Sequence, residues 1–266
     1  MTEPLLSVRN ITKRFGGLVA VNNVSCEINR GEVVGLLGDN GAGKSTLIKC
    51  ISGVYHADEG EMFFEGKHAH FAHPMEARRH GVETIYQDLA LANNLDVGAN
   101  IFLGREVKKR HLGGMIKTLD DQQMLRESRR TLESLQIHFP TLTEPIENLS
   151  GGQRQAVAIA RAVYWDAKLM IMDEPTNNLG VPEQQKVLEL IRRLREHGVP
   201  VILITHTLPD AFAVTDRIIV MHRGRKVAEK ATAETNTEEL VQYMVGARDD
   251  TNKGVPSPQR EISLPQ

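Results

Sequence analysis

Apolar and polar positions alternate at Leu6 and Val8, and again at Val24, Cys26 and Ile28, with the two-residue period of half-buried strands. Gly31 then marks a turn into Val33-Val34-Gly35-Leu36-Leu37, which is apolar on both faces and predicts a central strand. A glycine-rich loop follows, and beyond it Leu47, Ile48 and Ile51 fall on one side of a predicted helix. Two more uninterrupted apolar runs, Leu169 to Met172 and Val201 to Ile204, predict further buried strands. Between them Val187, Leu188, Ile191 and Leu194 recur at helical spacing, with Pro182 near the predicted start and Gly198 past the end. Strand, helix, strand in that order is the unit of a parallel sheet. Arg217 to Ala228 predicts a hairpin turning at Arg223-Gly224-Arg225.

From about residue 89 to 163 the strand signal fades, and Met124, Leu125, Leu132 and Leu135 keep helical spacing. This predicts a helical subdomain inserted in an α/β core. Residues 249 to 266 are polar, with Pro256, Pro258 and Pro265, and are expected to be a disordered tail behind a folded unit of residues 1–248. Composition excludes more than it identifies. A net charge of −2 gives no basic excess, so no nucleic-acid partner is expected. Cys26 and Cys50 lack CxxC spacing and read as buried free thiols in a reducing compartment. Met1 to Asn10 lacks the basic region and apolar core of a signal peptide. No run approaches the ~18 apolar residues of a membrane span, so at a membrane another chain would do the spanning.

The chemistry begins at Gly38-Asp39-Asn40-Gly41-Ala42-Gly43-Lys44-Ser45-Thr46, which satisfies GxxxxGK[ST]. Glycines let backbone N–H groups turn inward around phosphate oxygens, and the helix behind them presents its N-terminus to the same anion. Lys44 supplies a point charge to the β- and γ-phosphates, the Ser45 hydroxyl can ligate Mg²⁺, and Thr46 is placed to assist with phosphate. The alternative is a plain glycine-rich turn, but a buried strand precedes this loop and a helix follows it. The motif indicates nucleoside triphosphate binding without saying which enzyme.

Leu149-Ser150-Gly151-Gly152-Gln153 opens a predicted helix with Ala156, Val157, Ala160 and Val163 on one face. Ser150 is a plausible N-cap, and the two glycines leave backbone N–H groups open to an outside anion. Here the chain resembles the ABC ATPases, over residues 5 to about 246. Six elements carry the resemblance in the family's order: Phe15, Gly38 to Thr46, Gln87, Leu149 to Gln153, Asp173-Glu174 and His206.

The resemblance implies a P-loop (RecA-like) core with an antiparallel β subdomain and an inserted helical subdomain. It also implies ATP sandwiched between the phosphate loop of one copy and the signature of another. By the same token Phe15 stacks on adenine, Asp173 and Gln87 join Ser45 around Mg²⁺, Glu174 is the general base, and His206 donates to the γ-phosphate. Ser150, Gly151, Gly152 and Gln153 would serve the partner's nucleotide.

After Pro175-Thr176 many members read Ser-Ala-Leu-Asp, whereas this chain reads Asn177-Asn178-Leu179-Gly180 and lacks the acidic residue that helps couple the two sites. Asn100-Ile101-Phe102-Leu103-Gly104-Arg105-Glu106, with the segment from Pro74 to Gln87, is similar to monosaccharide-import ATPases of the ribose/fructose type. That similarity implies membrane permease subunits, a second copy and, indirectly, a solute-binding protein as partners. The expected location is the cytoplasmic face of the inner membrane. Import of amino acids or another small solute stays open as an alternative, as does a soluble non-transport ABC ATPase. His68, His70 and His73 lack a full metal-ligand set and read as surface histidines. Lys108 to His111 reads as a solvated loop, with anionic lipid as the alternative contact.

Overall fold

The computed structural model of the chain describes residues 3–111 and 116–251. Two antiparallel strands open it, β1 (Leu6–Phe15) and β2 (Leu18–Ile28), and β4 (Glu59–Phe64) and β5 (Lys67–His68) complete a sheet ordered β2-β1-β4-β5. A second sheet holds β3 (Val33–Leu37), β6 (Val82–Ile85), β9 (Leu169–Asp173), β10 (Val201–Ile204), β11 (Arg217–His222) and β12 (Arg225–Ala231). Its order is β12-β11-β3-β10-β9-β6, parallel throughout except for the β11–β12 hairpin.

The uninterrupted apolar runs explain this sheet's central place. Val34, Leu36, Leu169, Ile171, Ile202 and Ile204 face a core shared with the antiparallel sheet and α1 (Lys44–Ile51). Their neighbours Val33, Met170, Met172, Val201 and Leu203 face the opposite core, built with α5 (Gly151–Tyr164) and α6 (Val181–Glu196). Each strand therefore needs apolar residues at every position, because the side-chain period of two sends alternate residues to two covered faces. At the β11–β12 turn, Arg223 (φ +46°) and Gly224 (φ +80°) both adopt positive φ, the demand of a tight two-residue hairpin.

Between β6 and β9 lie α3 (Val97–Phe102), α4 (Asp121–Ser134) and α5. Asp96, Asp120 and Ser150 cap them by accepting from the backbone N–H three residues on. Lys108–His111 is β7, paired antiparallel with β8 (Ile116–Leu119), and corrects the expectation of a loop there. The strand escaped notice because no apolar face marks it: Lys108, Lys109, Lys117 and Thr118 are exposed. Lys109 is held by Asp120 at 2.9 Å. Two short helices, α2 (Pro74–Arg79) and α7 (Leu208–Val214), and α8 (Thr237–Met244) complete the described chain. Of the tail expectation, residues 252–266 lie outside the described residues.

Candidate nucleotide-binding site

The phosphate loop joins the end of β3 to the start of α1, and two of its glycines are dictated by close approach. A Cβ on Gly38 would stand 2.3 Å from the Met221 carbonyl oxygen, and one on Gly43 would stand 2.5 Å from that of Ala20. Both glycines hold positive φ, +148° and +99°, where a side chain is strained. The loop is thus wedged between the ends of β11 and β2. Lys44 is 6% exposed, and its Nζ donates to the carbonyls of Gly38 (2.6 Å) and Asp39 (3.0 Å). Burial pushes its pKa down, while Glu174, Asp173 and Asp39 pull it back up. Such a desolvated ammonium, turned over a loop of open N–H groups, is built to meet anionic oxygens.

A cavity of ≈ 380 Å³ and another of ≈ 480 Å³ meet at Glu174, which lines both. The larger also takes in Phe15, Asn40 to Thr46 and Asp173. Phe15 is 42% exposed at its rim, edge-on to Tyr55 with ring centroids 5.1 Å apart. The smaller cavity takes in Gln87, Gly151 and Asn177, so Gln87 does not share a cavity with Ser45 and Asp173. Ser150, Gly152 and Gln153 line a third cavity of ≈ 660 Å³, which Lys44 does not reach. Ser150 and Gln153 form a reciprocal capping box at the start of α5. Their glycines also lie close to side chains of the following segment: a Cβ on Gly151 would meet the end of Leu179 at 2.5 Å, and one on Gly152 would meet Glu183 at 3.0 Å.

At the end of β9 the chain turns sharply. Glu174 holds φ +51°, a strained value for this residue type, and its N–H donates to the Ile204 carbonyl at 2.9 Å. One carboxylate oxygen lies 3.1 Å from Nδ1 of His206, which follows β10. The other accepts from the Asn177 side-chain amide at 2.9 Å. Sequence reasoning noted Asn177 only as a departure from a pattern and missed this contact. It also missed Arg161, whose guanidinium donates to the carbonyls of Leu89 and Ala90 at 3.0 Å each and so ties the segment after Gln87 to α5. An arginine on a helix carries no sequence signal for such a role. His73 caps α2, and His70 stacks on His56 with centroids 5.2 Å apart.

Asp173 gives a stability prediction. Burial, then the neighbouring Glu174 charge, raises its pKa above 3.8, against the pull of Lys44 and Lys49. From 3.8 up to the raised value the folded chain holds more protons than the unfolded one, so stability falls as pH rises through that interval. Asp173→Asn removes this burden. Calorimetry of the nucleotide-free chain is expected to show a higher midpoint at pH 7, by about 2–4 °C per kcal/mol relieved. The gain should shrink toward pH 4, and an unchanged or lower midpoint at pH 7 contradicts the reading.

A glycine-rich phosphate loop at the C-terminal edge of a parallel sheet, with Lys44 within it and a carboxylate pair at the end of β9, one strand beyond β10, defines a P-loop nucleoside triphosphatase. A sequence model described as ABC transporter matches residues 21–177. The chain is 52% identical to the xylose/arabinose import ATP-binding protein XylG of Sulfolobus acidocaldarius, over 90% of this chain and 93% of that protein. It is 42% identical to the fructose import ATP-binding protein FrcA of Rhizobium meliloti, over 95% and 98% respectively. A solved nucleotide-free ATP-binding cassette from an ABC transporter superposes with a TM-score of 0.76 at 27% identity, covering 92% of this chain and 96% of that one. The chain belongs to the ATP-binding proteins of the ABC transporter family. It is an ATPase, and among the described residues no helix is long and apolar enough to cross a membrane.

Proposed function

We propose that two copies of this chain close over ATP at the cytoplasmic face of a membrane and drive permease subunits that import a monosaccharide. The observation that carries the paired arrangement is the separation within one chain of Lys44 from Ser150, which line different cavities. A γ-phosphate held by Lys44 meets signature N–H groups only if they come from a second copy.

In this reading Phe15 stacks on adenine, while Lys44 and the N–H groups from Gly41 to Thr46 hold the β- and γ-phosphates. Glu174 takes a proton from water as the water oxygen bonds to the γ-phosphorus. The bond from that phosphorus to the bridging oxygen breaks, and its electron pair leaves with ADP. His206, beside Glu174, donates to a γ-phosphate oxygen. Ser150, Gly151, Gly152 and Gln153 of the second copy close over the same phosphate. Ser45 and Asp173, which line one cavity, and Gln87, in the cavity that meets it at Glu174, would offer oxygen atoms that suit Mg²⁺, and the half-buried Asp173 carboxylate accepts no hydrogen bond among the described residues. Bound there, Mg²⁺ would offset charge on the phosphates.

Sugar as the solute rests on the relatives named for xylose/arabinose and fructose import. The segment Asn100 to Glu106 contributes less than its resemblance suggests. Asn100 is fully buried and ties down Ala92, Leu95 and Asp96, and Phe102 packs on Tyr164 and Trp165. Only Leu103 and Gly104 are exposed, as candidates for permease docking. Selectivity would lie in the permease and a solute-binding protein. Deleting the gene is expected to abolish concentrative uptake of one or a few labelled pentoses or hexoses, restored by the wild-type chain and not by Glu174→Gln. Unchanged sugar uptake with reduced uptake of an amino acid or polyamine overturns the solute assignment.

A further inference from the structure

We propose that Asn177 is a positioning residue that aims the Glu174 carboxylate, an inference resting on the reading of Glu174 as general base. The backbone at Glu174 is already fixed by its left-handed φ and its bond to Ile204, so only side-chain rotation decides where its oxygens point. Two contacts remove that freedom, His206 at one oxygen and Asn177 Nδ2 at the other, 2.9 Å away.

The amide of Asn177 is itself locked. Its backbone N–H donates to the Glu174 carbonyl at 3.1 Å, closing a turn that brings the side chain back over residue 174. Its Oδ1 accepts from the N–H of Asn178 at 3.1 Å, which assigns the oxygen and leaves the nitrogen facing Glu174. Asn178 holds φ +59°, a conformation asparagine tolerates better than most residues. A serine or alanine in its place would extend no amide donor to that oxygen.

The chemistry favours a neutral donor. A lysine or arginine there would bind the carboxylate as an ion pair and blunt its basicity, whereas a neutral amide orients one oxygen and leaves the charge in place. Asn177 and Glu174 both line the ≈ 380 Å³ cavity that also contains Gln87. Leu89, in the segment that Arg161 ties to α5, lines the same cavity.

The test uses the full chain, with ATP turnover and ATP KM measured across pH. Asn177→Leu keeps the shape and removes the donor. A hydrogen bond to a charged group contributes about 1.5–3 kcal/mol, so kcat should fall roughly ten- to hundredfold, with KM within about twofold and an unchanged melting midpoint. Asn177→Asp sets a second carboxylate beside Glu174, so kcat should fall and the acid limb of its pH profile should move to higher pH. That shift reports the nearness of residue 177 to the base, while a lowered kcat beside an unchanged KM and melting midpoint reports its positioning role. If Asn177→Leu keeps kcat within about twofold, or lowers the melting midpoint in step with kcat while Asn177→Asp leaves the acid limb in place, the proposal is overturned. Glu174→Gln separates the two ideas. Near-normal turnover in that variant removes the base itself, whereas a dead Glu174→Gln beside a normal Asn177→Leu removes only the role of Asn177.

Discussion

Glu174→Gln is expected to bind ATP with close to wild-type affinity and to lose about 10²–10⁴-fold in turnover, the usual contribution of a general base. The amide preserves the shape of the carboxylate and can still accept from Asn177, but it cannot take a proton from water. The loss should therefore appear in kcat and not in the nucleotide titration. Lys44→Ala is the contrast. Its ammonium is buried and turned over the phosphate loop. Losing a charge-assisted bond worth about 1.5–3 kcal/mol should weaken ATP binding roughly ten- to hundredfold. Nucleotide-binding titrations and phosphate-release assays on both chains distinguish these patterns. Near-normal turnover in Glu174→Gln removes it as the base.

Where the sequence was informative, one physical demand selected the residues. Strands β3, β9 and β10 are buried on both faces, so their apolar runs were legible without knowing the sheet. Strand β6 was not recognised as a strand. It is a short Val-Glu-Thr-Ile, and Glu83 and Thr84 are only half-buried. Nor was the order β12-β11-β3-β10-β9-β6 legible, because parallel strands pair across long connections that no local pattern records. The candidate site divides in the same way. Phosphate chemistry requires Gly43 and Lys44 at fixed spacing, and Ser150 with Gln153 is a local capping box. The hydrogen bond from Asn177 to Glu174 depends on a left-handed turn at residue 174, which glutamate rarely adopts and its sequence does not announce.

ATP-driven pairing is the other large effect. In a single chain the phosphate-loop cavity is open, and Ser150, Gly152 and Gln153 of the signature line a separate surface of α5 and α6. In the proposed arrangement two copies in opposite orientation would bring each Ser150 to the other's nucleotide, so each ATP would add contacts that only the pair can make. A ligand that binds the pair and not the single chain shifts the equilibrium by mass action. Ser150→Arg should abolish pairing while sparing ATP binding to the monomer, because its bulk and its charge fall where the partner's phosphate loop must approach. Hydrolysis would disperse the pair, which makes Glu174→Gln the right chain for the decisive measurement. Sedimentation equilibrium of Glu174→Gln is expected to show a monomer without nucleotide and a dimer with saturating ATP and Mg²⁺. A chain that stays monomeric with ATP bound at high protein concentration contradicts the composite site and the mechanism built on it.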